Sequence, residues 1–336
     1  MSKKKIYLGI DGGATKMMVQ AICIPDQSNL AYYDKFHDEI CYKEMPEWNN
    51  DFQPEDIGLQ EKSAKEKIFD LSYNEKKQGE VIINTLRKLY NQALKRNHAI
   101  SGVGLCFPGL KTKFNEGIIL LVNGPRIPDF VLQLRNKKIP INNIYNDSEC
   151  CVLGEIRGQS GALRDVKHGI YIGGGTGIAD GIVIGGNIAN FNHKDGLKRS
   201  WELIVQPGVS IESRLSPKNL IANYNAMSPN KLITSLESLI ILAENDNPIA
   251  YKIISKAVEA IQILITNRVK YIYEKTGELC EKIVIGQRLG LALSSKNGEN
   301  IFMNKIYSAL NQDIPISLST DRKTATLGAA WKASCS

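Results

Sequence analysis

The stretch Ile6-Tyr7-Leu8-Gly9-Ile10-Asp11-Gly12-Gly13-Ala14-Thr15-Lys16 decides the fold of this chain, because it joins a short apolar run to a tight glycine turn. A second apolar run, Met17-Met18-Val19-Gln20-Ala21-Ile22, follows at once, so the pattern predicts two strands joined by a hairpin. Paired glycines let the backbone turn sharply and bring its N–H groups close to an anion. We therefore predict a phosphate-holding turn, with an ordinary glycine-rich β-turn as the alternative.

Two charged residues flank this turn. Asp11 ends the first predicted strand, where we expect its carboxylate to face Mg²⁺ through water, since that cation prefers oxygen ligands and keeps part of its hydration shell. Lys16 has two interpretations: it is either a counter-charge for phosphate or a solvated charge at the start of the second strand.

Composition bounds the class of protein. The chain has 336 residues, of which 43% are hydrophobic and 23% charged, as in a soluble globular protein of two domains. No apolar stretch approaches the ~20 residues that span a bilayer, so we expect a cytoplasmic protein with no membrane partner. The net charge of +7 is dispersed, which argues against a nucleic-acid partner. The seven scattered cysteines are typical of reduced, buried thiols.

Further elements follow in the first half of the chain. Residues 26–78 form a polar, irregular excursion, which either covers the ligand or decorates the surface. Helical spacing predicts a helix over residues 80–97, followed by a buried strand that stops at Pro108-Gly109. A short strand then ends at Asn146-Asp147, and we expect Ser148 to cap the next helix.

The second half of the chain repeats the opening pattern. A strand at Gly169-Ile170-Tyr171-Ile172 leads into the turn Gly173-Gly174-Gly175-Thr176-Gly177, and a return strand follows. This echo predicts two related lobes that each offer a turn to one ligand between them. Farther on, Asp246 is expected to cap a long helix, and a strand ends at Gly286.

Together these stretches resemble the ROK family of sugar kinases and regulators, within the actin, hexokinase and Hsp70 ATPase superfamily. The resemblance is carried by Gly9 to Lys16 and Gly175-Thr176-Gly177-Ile178 as phosphate segments, Ile283-Val284-Ile285-Gly286 as adenosine segment, Leu327-Gly328-Ala329-Ala330 in the closing helix, Phe107-Pro108-Gly109, and Asn146-Asp147. It implies a two-lobed α/β actin-like (ribonuclease H-like) fold with duplicated βββαβαβα lobes and an interlobe cleft. We expect the lobes at residues 1–145 and 146–316, with 317–336 packing back on the first.

The resemblance also implies an activity. The protein would be a kinase that uses ATP and Mg²⁺ to phosphorylate a sugar hydroxyl, with Asp147 as general base and Asn146 holding a neighbouring hydroxyl. The alternative is that Asp147 only caps its helix. The hydroxyls and amides of the two turns would hold the nucleotide's phosphates, through Gly12, Gly13, Thr15, Gly175, Thr176 and Gly177, with Lys16 secondary and Gly286 at the adenosine.

The chain departs from the family pattern near the expected sugar site. The usual histidine and zinc cysteines have no counterpart, so we predict no structural zinc. Glu202 and Glu212 match the two sugar-binding glutamates, although both suit a surface position equally. Asn123 lies in the matching sugar loop, and Arg126 would favour an acidic or phosphorylated substrate unless it forms a salt bridge.

One more departure concerns the second turn. Asp180 replaces the usual glycine there, and its carboxylate would repel phosphate unless it is turned away, hydrogen-bonded or facing Mg²⁺. These departures leave two alternatives open: a non-catalytic sugar sensor, or an ATPase that drives a partner. A DNA-binding repressor is disfavoured because the chain starts at the first phosphate strand. The resemblance allows a homodimer.

Overall fold

The computed structural model describes residues 4–96, 99–189, 191, 197–310 and 314–335. The predicted end of the helix at Asn97 lies outside them. The chain divides into two compact units. Unit 1 comprises Met1–Gly161 and Lys323–Ser336, and unit 2 comprises Ala162–Arg322. The boundary thus falls after the helix that follows Asp147, because that helix packs against the C-terminal helix of the same unit.

Unit 1 contains a five-stranded mixed sheet. The described residues of this unit form seven strands, which in chain order are β1 (Lys4–Gly12), β2 (Lys16–Pro25), β3 (Tyr32–Cys41), β4 (Ile100–Phe107), β5 (Leu110–Lys111), β6 (Ile118–Leu120) and β7 (Ile144–Asn146). The sheet order is β3-β2-β1-β4-β7, with β1, β2 and β3 antiparallel and β1, β4 and β7 parallel. The short strands β5 and β6 form a separate hairpin.

Unit 2 repeats this topology. Its strands are β8 (His168–Gly174), β9 (Ile178–Ile184), β10 (Asn187–Ile188), β11 (Ile204–Gln206), β12 (Val209–Ser210), β13 (Lys282–Gly286) and β14 (Ile316–Leu318). The sheet order β10-β9-β8-β13-β14 has the same antiparallel and parallel pairings as the sheet of unit 1. The predicted α/β class with duplicated lobes is therefore confirmed.

Eleven α-helices occur in the described residues and cover the two sheets. They are α1 (Ile57–Glu66), α2 (Tyr73–Arg96), α3 (Phe130–Asn136), α4 (Asp147–Arg157), α5 (Ile211–Leu215), α6 (Pro217–Met227), α7 (Leu236–Glu244), α8 (Pro248–Thr276), α9 (Gln287–Leu293), α10 (Ile301–Leu310) and α11 (Thr324–Ser334). Each unit buries its own apolar core between its sheet and its helices. Within the described ranges, none of these helices has the length and apolar character needed to cross a membrane.

Two local expectations were wrong. The excursion 26–78 is not irregular throughout, since it contains β3 and α1. Its strand is charged because β3 lies at the edge of the sheet, where polar side chains face solvent. The long helix α8 is capped by Asn247, whose Oδ1 accepts from the amide of Ala250 at 3.0 Å, and not by Asp246, which adopts φ 58°.

Helix α11 packs against the sheet of unit 1 at two glycines. A Cβ built on Gly9 of β1 would lie 1.7 Å from the carbonyl oxygen of Thr326, and one on Gly104 of β4 would lie 1.9 Å from that of Ala329. No side chain fits there, so the helix lies directly on the strand backbones. This close approach fixes the helix over β1, which carries Asp11 near its end, and β4, which ends at Phe107.

The glycine contact predicts a stability effect. Gly104→Ala should lower the free energy of unfolding by about 2 kcal/mol or more, because overpacking a core forces the backbone to move. Gly13→Ala is the matched control, since its Cβ would meet only the Lys16 carbonyl at 3.6 Å, and it should cost no more than about 1 kcal/mol. Urea unfolding of both variants checks this. Equal midpoints for the two would contradict the close packing.

Candidate functional site

The carboxyl ends of three parallel strands meet at one edge of the sheet in unit 1. The register pairs Asp11 of β1 with Cys106 of β4, and Phe107 of β4 with Asn146 of β7. Asp147 follows directly at the start of α4. Ligands of open α/β sheets bind at such strand ends. The topology therefore brings Asp11 and Asp147, which are far apart in sequence, to the same edge.

Asp11 carries a perturbed carboxyl group. Part of the residue is accessible, yet the dense protein around its carboxyl, followed by the negative charge of Asp147, raises its pKa to about 7. The Cys106 thiol donates to Oδ1 at 3.5 Å, and this bond together with the charge of Lys16 acts in the opposite direction. A carboxyl group whose pKa is raised by burial and by a neighbouring carboxylate lies where a cation is favoured.

The residues before and at the start of α4 hold this part of the site in place. Asn146, and not Ser148, caps the helix: its Oδ1 accepts from the Ser148 amide at 3.0 Å and from the Ser148 hydroxyl at 2.8 Å. Asp147 is the first helical residue, and its Oδ1 also accepts from the Ser148 amide at 3.0 Å. The helix thus fixes both side chains at the strand end.

The first glycine turn is closed by its own backbone. The amide of Gly13 donates to the Lys16 carbonyl at 2.9 Å, and the amide of buried Tyr42 donates to the Thr15 carbonyl at 3.0 Å. In the described part of the chain, the amides of Ala14 and Thr15 have no protein acceptor, so they are available to an anion. Gly12 lies at the end of β1.

Lys16 points along the neighbouring strand. Its Nζ lies 2.6 Å from Glu39 Oε2 on β3. The charge of Lys16 is therefore compensated by Glu39, whereas the sequence offered a counter-charge for phosphate or a solvated charge at the start of the second strand.

The second glycine turn, in unit 2, has the same internal closure. The amide of Gly175 donates to the carbonyl of Gly177 at 2.9 Å, and among the described residues the Thr176 amide has no protein acceptor. Glu212 Oε2 accepts from the Ile178 amide at 2.9 Å. A Cβ on Gly177 would lie 2.6 Å from that same oxygen, so glycine is required for Glu212 to reach the turn. Glu212 therefore borders the predicted phosphate segment.

Gly286 lies beside this second turn. It ends β13 and pairs in register with Gly173 at the end of β8, while the next residue, Gln287, bridges to Gly174. The predicted adenosine segment and the second phosphate turn are thus neighbours at the carboxyl ends of two parallel strands of unit 2.

Glu202 and Asp180 also belong to unit 2. Glu202 Oε2 accepts from the Arg199 amide at 2.8 Å, so this carboxylate stabilises its own turn.

Asp180 is buried and its Oδ2 accepts from Arg268 Nε at 2.7 Å. Arg268 in turn donates to the Lys198 carbonyl at 2.7 Å. The charge of Asp180 is therefore compensated by a buried guanidinium, which resolves the expected repulsion of phosphate.

Arg126 of unit 1 is also a buried charge that is compensated by opposite charges. Its Nε and Nη2 donate to the two carboxylate oxygens of Glu75 at 2.8 and 2.7 Å, and its Nη1 lies 2.8 Å from Glu55 Oε2. The Arg126 side chain has 0% exposure. The structure thus favours the salt-bridge alternative over a substrate contact. Asn123, in the turn after β6, is half-buried.

Sequence reasoning missed one charged group at these strand ends. Lys111 Nζ donates to the carbonyls of Phe107 and Gly109 at 2.6 and 2.9 Å. Lysine two residues after a proline-glycine turn is common on protein surfaces, so the sequence offered no signal for this position.

A magnesium ion fits the residues of unit 1. The described residues contain no group of three or more histidine, cysteine, aspartate or glutamate side chains placed to hold a metal ion. Mg²⁺ in phosphoryl-transfer sites needs only one or two carboxylates, because phosphate oxygens and water complete its shell. Asp11, with a second carboxylate nearby, supplies that chemistry.

The Arg126 ion pair predicts a stability effect. Glu75→Gln should lower the free energy of unfolding by about 3 kcal/mol, because it leaves a buried guanidinium poorly compensated. Glu80→Gln on the same helix is the control, because Glu80 pairs with Lys77 and their side chains are 52% and 51% exposed. The free energy of unfolding should therefore fall by less than about 1 kcal/mol in this variant. Thermal and urea unfolding measure both. A Glu75→Gln protein as stable as the control would contradict the structural role of Arg126.

The sequence matches no protein-family model and no curated protein. Solved structures do match over nearly the whole chain. A ROK family glucokinase from Streptomyces griseus, in complex with glucose and AMPPNP, is 14% identical with a TM-score of 0.65, and the match covers 99% of this chain and 100% of that one.

Two further structures show the range of proteins with this architecture. The ROK hexokinase from Thermus thermophilus is 16% identical with a TM-score of 0.64, and 98% of each chain is covered. A ROK family transcriptional regulator, a homolog of the E. coli MLC protein, is 13% identical with a TM-score of 0.61, and 97% of this chain and 77% of that one are covered. The strand order, the two glycine turns and these matches together show that the chain has the fold of the ROK family of sugar kinases and regulators.

Proposed function

We propose that this protein is a ROK family kinase that transfers the γ-phosphoryl group of ATP to a hydroxyl of a sugar or sugar derivative, with Asp147 as general base. The observation that carries the proposal is that Asp11 and Asp147 lie at the carboxyl ends of the parallel strands β1 and β7, on either side of β4, where the charge of Asp147 acts on the Asp11 carboxyl. The similar structures include sugar kinases, which supports the same reaction class.

Asp147 performs the proton transfer in this proposal. Its carboxylate accepts the proton of the sugar hydroxyl as that oxygen attacks the γ-phosphorus, and the bond between the γ-phosphorus and the β,γ-bridging oxygen of ATP breaks. The helix start holds the carboxylate in place through the Ser148 amide. Asn146 keeps its amide nitrogen for a neighbouring sugar hydroxyl while its oxygen caps α4.

The glycine turns bind the phosphates in this proposal. In unit 1, Gly12 and Gly13 form the turn at the end of β1, Thr15 presents an amide donor to the phosphate, and Asp11 would hold Mg²⁺ through water. When bound, that ion supplies positive charge to the phosphate oxygens. In unit 2, Gly175, Thr176 and Gly177 hold phosphate while Gly286 approaches the adenosine.

The sugar ligands are assigned by the family pattern. Asn123, Asn146, Glu202 and Glu212 are the proposed contacts. Each carboxylate also has a structural task, since Glu202 accepts from the Arg199 amide and Glu212 from the Ile178 amide. Arg126 is left out of this set because Glu75 and Glu55 already compensate its charge.

Replacing Asp147 tests the proposed base. Asp147→Asn should lower sugar-dependent ADP release by at least about 100-fold, because general-base catalysis is typically worth a factor of this size or more. Glu149→Gln is the control, since Glu149 lies in the same helix turn and pairs with Lys332 on α11. It should keep turnover within a few-fold. Circular dichroism confirms that both variants are folded, and near-normal turnover of Asp147→Asn would remove it as the base.

A second measurement separates the alternative functions. ADP release is followed with and without a panel of neutral, amino and acidic sugars. Release that depends on a sugar supports the kinase. Release without sugar supports an ATPase that drives a partner, and sugar binding without turnover supports a non-catalytic sensor.

A further inference from the structure

Lys111 provides a cation at the strand ends of unit 1. It lies on β5, just after the turn at Pro108-Gly109. Its Nζ donates to the Phe107 carbonyl at 2.6 Å and to the Gly109 carbonyl at 2.9 Å. An ammonium group has three N–H donors, so two carbonyls hold the charge in position and leave one donor for another acceptor.

The charge of Lys111 has no carboxylate partner. No carboxylate of the described residues lies within 4.0 Å of its Nζ. Two other cations of the described residues near these strand ends have carboxylate partners: Lys16 pairs with Glu39, and Lys332 pairs with Glu149. Lys111 differs from these two lysines in having only carbonyl partners within the described residues.

The Lys111 ammonium group is partly removed from water. Burial lowers the pKa of its ammonium group, and the negative charge of Asp147 acts in the opposite direction, ahead of smaller effects from Cys106, Cys150 and Glu149. A half-buried ammonium group without a counter-ion has lost part of its hydration. A charge-assisted hydrogen bond to an anionic ligand would compensate the free-energy cost of that loss.

The position of Lys111 indicates which ligand supplies the anion. Strand β5 pairs with β6, with Lys111 opposite Ile118, and β6 leads directly into the turn that contains Asn123. Lys111 thus connects the strand end beside Asp147 with the loop proposed for the acceptor. The first phosphate turn, in contrast, lies between β1 and β2.

We propose that Lys111 binds an anionic oxygen group, a carboxylate or a phosphate, of the acceptor, and that the acceptor is therefore an acidic or phosphorylated sugar. This inference rests on the proposed sugar kinase function and narrows its substrate class. The γ-phosphate of the nucleotide offers the same chemistry from another source, and the experiment separates the two.

The test uses calorimetric binding to the full chain without turnover. The probes are glucose, glucuronate, glucose 6-phosphate and Mg²⁺ with AMPPNP, and the variants are Lys111→Met, Lys111→Arg and the control Lys113→Met. Lys113 is exposed on the same hairpin loop, with its Nζ 5.5 Å from the Phe114 ring centroid. We expect the wild type to prefer an acidic probe over glucose.

Lys111→Met should then lower the affinity for that acidic probe by about tenfold or more, which is the effect expected when a charge-assisted hydrogen bond is lost. The affinity for glucose and for AMPPNP should change less than about twofold, on the same scale. Lys111→Arg should retain most of the preference, and Lys113→Met should resemble the wild type. A purely structural Lys111 would instead weaken every probe together or lower only the unfolding temperature.

Several results would overturn the proposal. The first is that the wild type binds no acidic probe more tightly than glucose. The second is that Lys111→Met lowers the affinity for AMPPNP alone, which would assign the anion to the nucleotide. If Lys111→Met does not fold, ¹³C-dimethylated lysines of the wild type are observed by NMR, with Lys111→Arg identifying the signal. That signal must shift with the acidic probe and not with glucose. Acidic-probe binding without ADP release would contradict the kinase and leave this inference standing.

Discussion

The contact of α11 with the backbones of β1 and β4 is the constraint on which unit 1 depends. Gly9 and Gly104 remove the two side chains that would hold the helix away from the sheet. The same helix also packs extensively on α4, whose first residue is Asp147. One helix thereby sets the relative position of three elements whose ends carry Asp11, Phe107 and Asp147. Small residues in this helix are needed because van der Waals contact between backbones leaves no room for larger ones.

The distribution of charge follows a consistent rule around these elements. Buried charges far from the strand ends are compensated within the protein, as Arg126 is by Glu75 and Asp180 by Arg268. At the strand ends the compensation is incomplete, since Asp11 and Asp147 repel each other and Lys111 has only carbonyl partners. Incomplete compensation costs stability, and sites for charged ligands are where such a cost is commonly found.

The sequence predicted most of the elements but not all of their edges. Continuous apolar runs identified β1, β2 and β4, because successive residues of these strands are buried. The 3.6-residue period identified α2 and α8, because these helices bury one face. The edge strand β3 was missed because an edge strand has few buried positions and tolerates charges such as Asp34, Lys35 and Asp38. The predicted helix caps were wrong by one or two residues, since the observed caps are Asn146 and Asn247. Several neighbouring polar residues suit a cap equally well, so the sequence does not distinguish them.

Some properties of this protein were determined by the sequence alone and others by the tertiary structure. The order of strands, glycine turns and helices is local information, and it was enough to predict two related lobes because each glycine turn and apolar run restricts the backbone near it. The duplicated α/β fold was what the resemblance to the ROK family implied. The partners of Lys16, Arg126, Asp180 and Glu212 were decided only by the tertiary structure. Those partners come from distant parts of the chain, as Glu75 does for Arg126, and a charged residue by itself does not indicate which opposite charge or amide the fold will bring to it.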